Sequence, residues 1–513
     1  MTLPPRGKVK PLPKRSVRAV PRTLPHKPLR YIDLFAGCGG LSLGLEKAGP
    51  TSLGFELVLA VEKSDMAAET FFHNFIQRIE SPATWDAHLH LPVREQAKRG
   101  LVVKELKAVL DDRELLESLH QQDIDLVAGG PPCQGFSMAG RRDPADIRNE
   151  LPWQFLDFVA AVAPRAVLIE NVVGISLDFD KHGEPAPFLQ LGMQLEQTGP
   201  GYVVQRMRLN AQDYGVPQHR PRMVLVGLRR DIAAARGITS TDEVWRSDAD
   251  LVAPALAPTP TFRGDPRTVA DALWDLRQGY VAGSSAPAYQ ASAGKYARMM
   301  RSDRKWFPPA SLAAKEQSPL EPANNKQAQH SDKTTRRFRL YQYLDQFGIS
   351  PRVLTVERGS AQFAEVEDEI RSRLKEAAKS GAVFPWTMPA GTTLAKSSRD
   401  VVNLVDELHT KKHSQRSLRG TRPSPTVLTL PDDLVHYEEP RIHTVRELAR
   451  LQSFPDTFVF RAKETTGSSR RRVEVPQYTQ VGNAVPPLLA KAIGDKLFEL
   501  LSRVEAPPPR RRP

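Results

Sequence analysis

Cysteine is scarce in this chain: Cys38 and Cys133 are the two in 513 residues. That excludes a disulfide-stapled scaffold and a cysteine zinc cluster, and no metal is expected. Long apolar runs are missing as well. Nothing approaches the ~18 consecutive apolar residues of a membrane-spanning helix. The basic N-terminus has no apolar stretch behind it, so a secretory signal is not expected either. These absences point to a cytoplasmic protein with no membrane partner. Acids are absent from residues 1–30, which carry nine Lys/Arg, and residues 503–513 set four Arg against one Glu. The tails therefore hold nearly all of the net charge of +13. Such tails either hold phosphate loosely or are solvated extensions, so basicity alone is weak evidence for a nucleic-acid partner.

The length exceeds one ordinary domain and predicts two lobes. Residues 1–28, Pro-rich and basic, read as a disordered tail, as do 504–513. From Leu29 a strand-helix rhythm begins. Strands fit Leu29–Phe35, Leu57–Val61, Ile124–Ala128, Ala166–Ile169 and Met223–Gly227, with helical patterns such as Leu41–Gly49 and Trp153–Ala163 between them. Alternation of this kind predicts an α/β fold, a doubly wound and mostly parallel sheet. Beyond about residue 240 the rhythm stops, residues 278–335 show little periodicity, and 361–380 reads as an isolated charged helix. Order returns near Pro423–Val427, and a last helix fits Pro486–Arg503. The expected division is a catalytic lobe at 29–240 completed by 465–503, and a smaller, irregular lobe at 241–464.

Chemistry-bearing residues gather at the predicted strand ends, where α/β folds bind ligands. Asp33-Leu34-Phe35-Ala36-Gly37-Cys38-Gly39-Gly40 is a glycine turn running into a helix; such a turn brings backbone amides close to a ligand, though structural tightness alone also explains one. It is shorter than the G-x-G-x-x-G fingerprint, since Ser42 stands where the last glycine belongs. Glu62 follows the second strand, 22 residues beyond Gly40, where a ribose-binding carboxylate belongs. The pair suggests an adenosine-containing ligand. Gly129-Gly130-Pro131-Pro132-Cys133-Gln134-Gly135-Phe136-Ser137 puts a thiol on a Pro-stiffened strand tip, a poor place for core packing and a good one for a nucleophile. Cys38 reads instead as small and packed. Glu170-Asn171-Val172 ends another strand. Gln218-His219-Arg220-Pro221-Arg222 precedes the next, with two arginines at alternate positions of an extended segment.

In this order, these motifs resemble the DNA (cytosine-5) methyltransferase family of bacterial restriction-modification type. Two late segments extend the resemblance: Arg446-Glu447-Leu448-Ala449-Arg450-Leu451-Gln452-Ser453-Phe454-Pro455 and Gln480-Val481-Gly482-Asn483-Ala484-Val485-Pro486-Pro487. The resemblance implies a Rossmann-like methyltransferase lobe with S-adenosylmethionine as methyl donor, and a target-recognition lobe in the middle. Cys133 is implied as nucleophile toward carbon 6 of cytosine, which makes carbon 5 enamine-like. Glu170 is implied to hold and protonate N3, Arg222 to steady the base, and Arg220 to support it. Phe35, Gly37, Cys38, Gly39, Glu62, Pro131, Leu151, Asn483 and Val485 are implied to line the cofactor pocket. The family has an Asp in a Gly-Asp-Ile-like segment; the best fit here is Val103-Lys104-Glu105-Leu106, so Glu105 stands in a slot meant for a shorter acid, and residues 81–99 read as inserted. The loop from Gln134 to about Arg148, with Arg141, Arg142 and Arg148, is expected to close over a flipped base. Basic-aromatic clusters in the middle, Arg304-Lys305-Trp306-Phe307 and Arg336-Arg337-Phe338-Arg339-Leu340-Tyr341, and the basic run Lys411, Lys412, Arg416, Arg419 and Arg422, suit contacts to DNA.

The implied partner is double-stranded DNA, with a cognate restriction endonuclease as a further partner. A monomer is expected, nucleoid-associated when bound. Two rivals are weighed. A tRNA cytosine-5 methyltransferase shares the Pro-Pro-Cys and Glu-Asn-Val signatures but lacks a large middle region. A DNA-binding regulator that has lost catalysis requires a damaged motif, and Cys133, Glu170 and Arg222 are all present.

Overall fold

The computed structural model describes residues 27–49, 54–132, 150–176, 186–250, 252–277, 294–302, 322–466, 470 and 473–502. Cys133, the loop after it, the Arg304–Phe307 cluster and both tails lie outside these residues.

Eight strands form the main sheet: β1 (Leu29–Leu34), β2 (Phe55–Val61), β3 (Leu101–Val102), β4 (Leu126–Gly129), β5 (Ala166–Val172), β6 (Tyr202–Asn210), β7 (Pro221–Arg229) and β8 (Val244–Arg246). Their spatial order is β3-β2-β1-β4-β5-β7-β6-β8. Neighbours from β3 to β5 are parallel, β7 runs against both β5 and β6, and β8 is parallel to β6. The α/β, doubly wound, mostly parallel expectation is met. Helices cover both faces, so the inner strands are apolar on both sides. Successive residues of β1 feed opposite cores: Tyr31 joins Leu41, Leu45, Leu489 and Ile493 on one face, and Ile32 joins Phe155, Val159 and Leu191 on the other. The C-terminal helix Pro487–Ser502 lies against the helix Gly40–Glu46 at near-backbone distance. A Cβ built on Gly44 would stand 2.4 Å from Ala490 Cβ, and one on Gly494 would stand 2.7 Å from Ala48 Cβ.

Sequence pattern misses β6 because Gln205, Arg206 and Arg208 interrupt its apolar residues. Arg206 is nonetheless buried, donating to Glu196 at 3.2 Å and to the Thr241 carbonyl at 3.1 Å. A paired interior charge looks like surface in a hydropathy pattern.

The lobe boundaries also shift. β8 carries the sheet past residue 240. The helix Val445–Leu451 and Phe454, Phe458 and Phe460 pack with Phe71 and Phe75 of the large lobe, well before residue 465. Arg450 secures that helix from a fully buried position, held by Asp275 at 2.9 Å and Asp456 at 2.6 Å. What remains for the small lobe is a separate core between about residues 338 and 408, joined by Val435 and Ile442, whereas Leu418, Val427 and Leu434 pack with the large lobe. The charged helix expected to stand alone, Ala361–Ala377 in the structure, belongs to that core. Phe363, Val366, Ile370 and Leu374 recur at helical spacing, and with Val401, Val402 and Val405 they form one cluster.

Candidate active site

Strand order reverses between β1 and β4, which places a ligand crevice outside their carboxyl ends. After β1 the chain coils through left-handed positions at Phe35 (φ 58°), Gly37 (φ 56°) and Gly39 (φ 98°). For Phe35 this is an uncommon conformation, the kind that clusters at ligand sites. Glu62, just past β2, ties the turn down. One carboxylate oxygen accepts from the Gly37 amide at 2.9 Å and the other from the Ser64 amide at 2.7 Å. Burial raises the Glu62 pKa, while these amides oppose the shift. Each oxygen keeps a lone pair for another donor.

The turn fits an adenosine-methionine ligand. A Cβ built on Gly37 would meet nothing within 4 Å, so the backbone there faces open space, whereas one on Gly39 would stand 2.3 Å from Phe75. From the far end of the chain, Asn483 is exposed at a helix terminus and Val485 is buried. The Val485 carbonyl would lie 2.3 Å from a Cβ at Gly40, so this segment crosses directly over the turn. Leu151, half-buried, opens the helix Leu151–Val162. Glu105 is exposed and paired with Lys63 at 3.2 Å, beside the Glu62 end of the crevice. Cys38 is different. Its thiol is buried, 3.7 Å from the Gln480 carbonyl, and burial pushes its pKa up to about 12. Its side chain is packing, and only its backbone belongs to the turn.

Beneath the turn, Asp33 is fully buried. Its Oδ2 accepts from Ser42 Oγ at 2.6 Å, and its Oδ1 has no partner. Burial raises its pKa from 3.8 to about 7. Between those values the folded chain keeps a proton that the unfolded chain has released, so Asp33 erodes stability as pH rises from about 4 through 7. The full effect is on the order of 4 kcal/mol. Asp33→Asn should therefore become progressively more stable than wild type between pH 5 and 8 in urea titrations. A difference that does not change with pH would show that the carboxyl is ionised in the folded state throughout.

The second half of the site lies around β5. Its antiparallel register with β7 sets Val172 opposite Arg222 and Glu170 opposite Val224. Glu170 and Arg222 are thus diagonal neighbours on one face. Arg222 Nε donates to Glu170 Oε1 at 2.9 Å, and both residues are buried. Burial raises the Glu170 pKa, with the charges of Arg222 and Arg220 opposing the rise. Glu170 Oε2 lies 3.3 Å from where a Gly130 Cβ would stand, which sets the carboxyl against the β4 loop. Pro131 in that loop is buried. Asn171, a neighbour given no role by the sequence reading, donates to the Pro131 carbonyl at 2.9 Å and accepts from the Val172 amide at 2.9 Å. It holds the Pro-Pro segment that leads directly into Cys133.

Arg220 does not join this pair by a hydrogen bond. Its guanidinium donates to the carbonyls of Val427 (3.1 Å), Gly482 (2.7 Å) and Ala484 (3.0 Å). It fastens the Asn483–Val485 segment and the Val427 segment to the start of β7. Gln218, also unassigned from sequence, works beside it, donating to the Leu451 carbonyl at 3.1 Å and accepting from the Val427 amide at 2.9 Å. Among the described residues no group of three or more His, Cys, Asp or Glu side chains is arranged to hold a metal.

A glycine turn tied down by a carboxylate at the switch point, with a buried carboxyl–guanidinium pair on the neighbouring strands, fits the class of S-adenosylmethionine-dependent methyltransferases. The C-5 cytosine-specific DNA methylase family matches residues 29–93 and 95–499. The chain belongs to that family and is a DNA (cytosine-5) methyltransferase. It is 30% identical over 474 residues to the type II methyltransferase M.DdeI of Desulfomicrobium norvegicum, covering 91% of this chain and 88% of that one. It is 30% identical over 479 residues to M.XorII of Xanthomonas oryzae pv. oryzae, covering 92% and 85%. Among solved structures, a putative DNA modification methyltransferase encoded within a prophage, from E. coli, superposes with a TM-score of 0.55 at 21% identity, over 93% of this chain and all of that one. That likeness concerns the fold. No helix among the described residues is long and apolar enough to cross a membrane.

Proposed function

We propose that this enzyme methylates carbon 5 of a cytosine within a specific duplex sequence, through a covalent adduct on Cys133, as the modification half of a restriction-modification pair. The observation that carries this reading is the buried Glu170–Arg222 pair set against the loop that Asn171 holds and that runs into Cys133.

The target base leaves the stack to reach this recess. The Cys133 thiolate adds to carbon 6 and forms a C–S bond, while Glu170, in its protonated form, delivers a proton to N3. The displaced electrons leave carbon 5 nucleophilic. Phe35, the Gly37 turn, Glu62 and the Asn483–Val485 segment would hold S-adenosylmethionine, which would supply an electrophilic methyl group to carbon 5 and leave as S-adenosylhomocysteine. Loss of the carbon-5 proton to water then expels the thiolate, and Glu170 takes its proton back from N3. Arg222 orients the Glu170 carboxyl and would steady the charge that develops on the base. Arg220 and Asn171 hold backbone in place.

Glu62→Ala removes a charged acceptor of ribose hydroxyls. It should weaken S-adenosylmethionine binding by at least about tenfold in calorimetry, from a loss of roughly 1.5–3 kcal/mol. Unchanged affinity means the ribose is held elsewhere.

Sequence reading belongs to the small lobe. One flipped base cannot report its neighbours, which must be read in the grooves by another element. Exchanging residues 332–442 for the equivalent stretch of a relative with a different target should move methylation to that target, as seen by methylome sequencing of an expressing host. Methylation that stays at the original site contradicts this division of labour.

A further inference from the structure

A polar pocket opens in the small lobe between the helix Asp332–Gln346 and the segment Ser417–Thr421. It contains two arginines in different states. Arg339 is engaged through all three of its nitrogens, donating from Nε to the Thr387 carbonyl, from Nη1 to Gln342 and from Nη2 to the Tyr343 hydroxyl. Arg419 is engaged along one edge. Its Nε donates to both Asp345 carboxylate oxygens, at 2.8 and 2.9 Å, and its Nη2 to the Asp345 carbonyl at 3.3 Å. That leaves Nη1, and the second hydrogen of Nη2, on the outer edge of the guanidinium. The side chain is 40% exposed.

A guanidinium fixed along its inner edge offers its outer edge as two parallel donors, the geometry that matches O6 and N7 of guanine in the major groove. Fixing it beforehand removes most of the ordering cost a free arginine meets on binding. Position agrees with this use. Arg419 lies seven residues before Thr426, at most about 25 Å of chain. Thr426 Oγ1 donates to the His219 carbonyl at 3.0 Å, and the Ser424 carbonyl accepts from the His219 amide at 2.7 Å. The pocket is therefore tethered to the segment that leads into the strand carrying Arg222.

We propose that Arg419, buttressed by Asp345, reads a guanine of the target sequence through its O6 and N7 edge. This rests on the assignment of sequence reading to the small lobe. The test uses full-length enzyme and duplexes carrying 7-deazaguanine, which lacks N7, at one guanine of the methylome-defined target at a time. In wild type, one position should lower kcat/KM by roughly 5- to 150-fold. Arg419→Ala should lose a comparable factor on the natural duplex, become insensitive to the analogue at that position, and accept other bases there. Asp345→Asn, which keeps the arginine and removes its anchor, should show both effects more weakly. The proposal is overturned if no guanine is sensitive in wild type, or if Arg419→Ala retains the full penalty at every guanine. It is equally overturned if Arg419→Ala weakens all sequences alike with a shallower salt dependence, which marks a phosphate contact. Should the lobe exchange move the target while this scan fails, only the Arg419 assignment falls; should the exchange itself fail, the broader reading falls.

Discussion

Cys133→Ala is expected to remove methyl transfer almost completely, by on the order of 10⁴-fold or more, because loss of the nucleophile forfeits a covalent mechanism as a whole. S-adenosylmethionine affinity should be unchanged, since the glycine turn and Glu62 are built on other strands. Cys38→Ala should retain activity: its buried thiol, with its pKa pushed up to about 12, has no thiolate to offer. Steady-state transfer of a labelled methyl group to duplex DNA, with a thermal melt of each variant, separates chemistry from folding. Near-wild-type turnover in Cys133→Ala would mean that no covalent adduct is formed.

Glu170→Gln should lower kcat by roughly 10²- to 10⁴-fold, the range for removal of a positioned general acid. Glutamine keeps the hydrogen bonds and has no proton to give. The pH profile carries the sharper signature. Because burial raises the Glu170 pKa, wild-type kcat/KM should fall as pH rises through that value and the carboxyl ionises. The glutamine variant's residual rate should lack this limb. Arg222→Met removes the positive charge that opposes the rise, so in that variant the limb should move to higher pH. A limb that stays in place in Arg222→Met, or persists in Glu170→Gln, assigns the titration to another group.

What the sequence discloses about this site is what lies close together along the chain. The glycine turn and Glu62 are each the end of one strand, and strand ends can be found from a run of apolar residues followed by glycine or an acid. The late motif around Asn483 can be found as a pattern, but its place over Gly40 cannot, because that contact joins residues more than 400 positions apart in the chain. The same limit hides the pairing of Arg222 with Glu170. It requires β7 to run against β5, and nothing local in Pro221–Arg229 states a direction. Arg220 and Arg222 look equivalent from their alternate spacing, yet one ends on three backbone carbonyls and the other on a carboxylate. Periodicity also underrates the small lobe. The charged residues of Ala361–Ala377 mask a stripe of four apolar ones, which has no meaning until Val401 and Val405 supply its partner.

The central claim is that one thiol joins the target base. The direct measurement is mass spectrometry of the peptide bound to duplex DNA whose target cytosine is 5-fluorocytosine. Fluorine blocks the final elimination, so the adduct survives denaturation and digestion. The account predicts a single modified peptide containing Cys133, carrying the methylated fluorinated base, dependent on S-adenosylmethionine and absent from Cys133→Ala. An adduct on any other residue, or a complex that dissociates fully on denaturation, would contradict it.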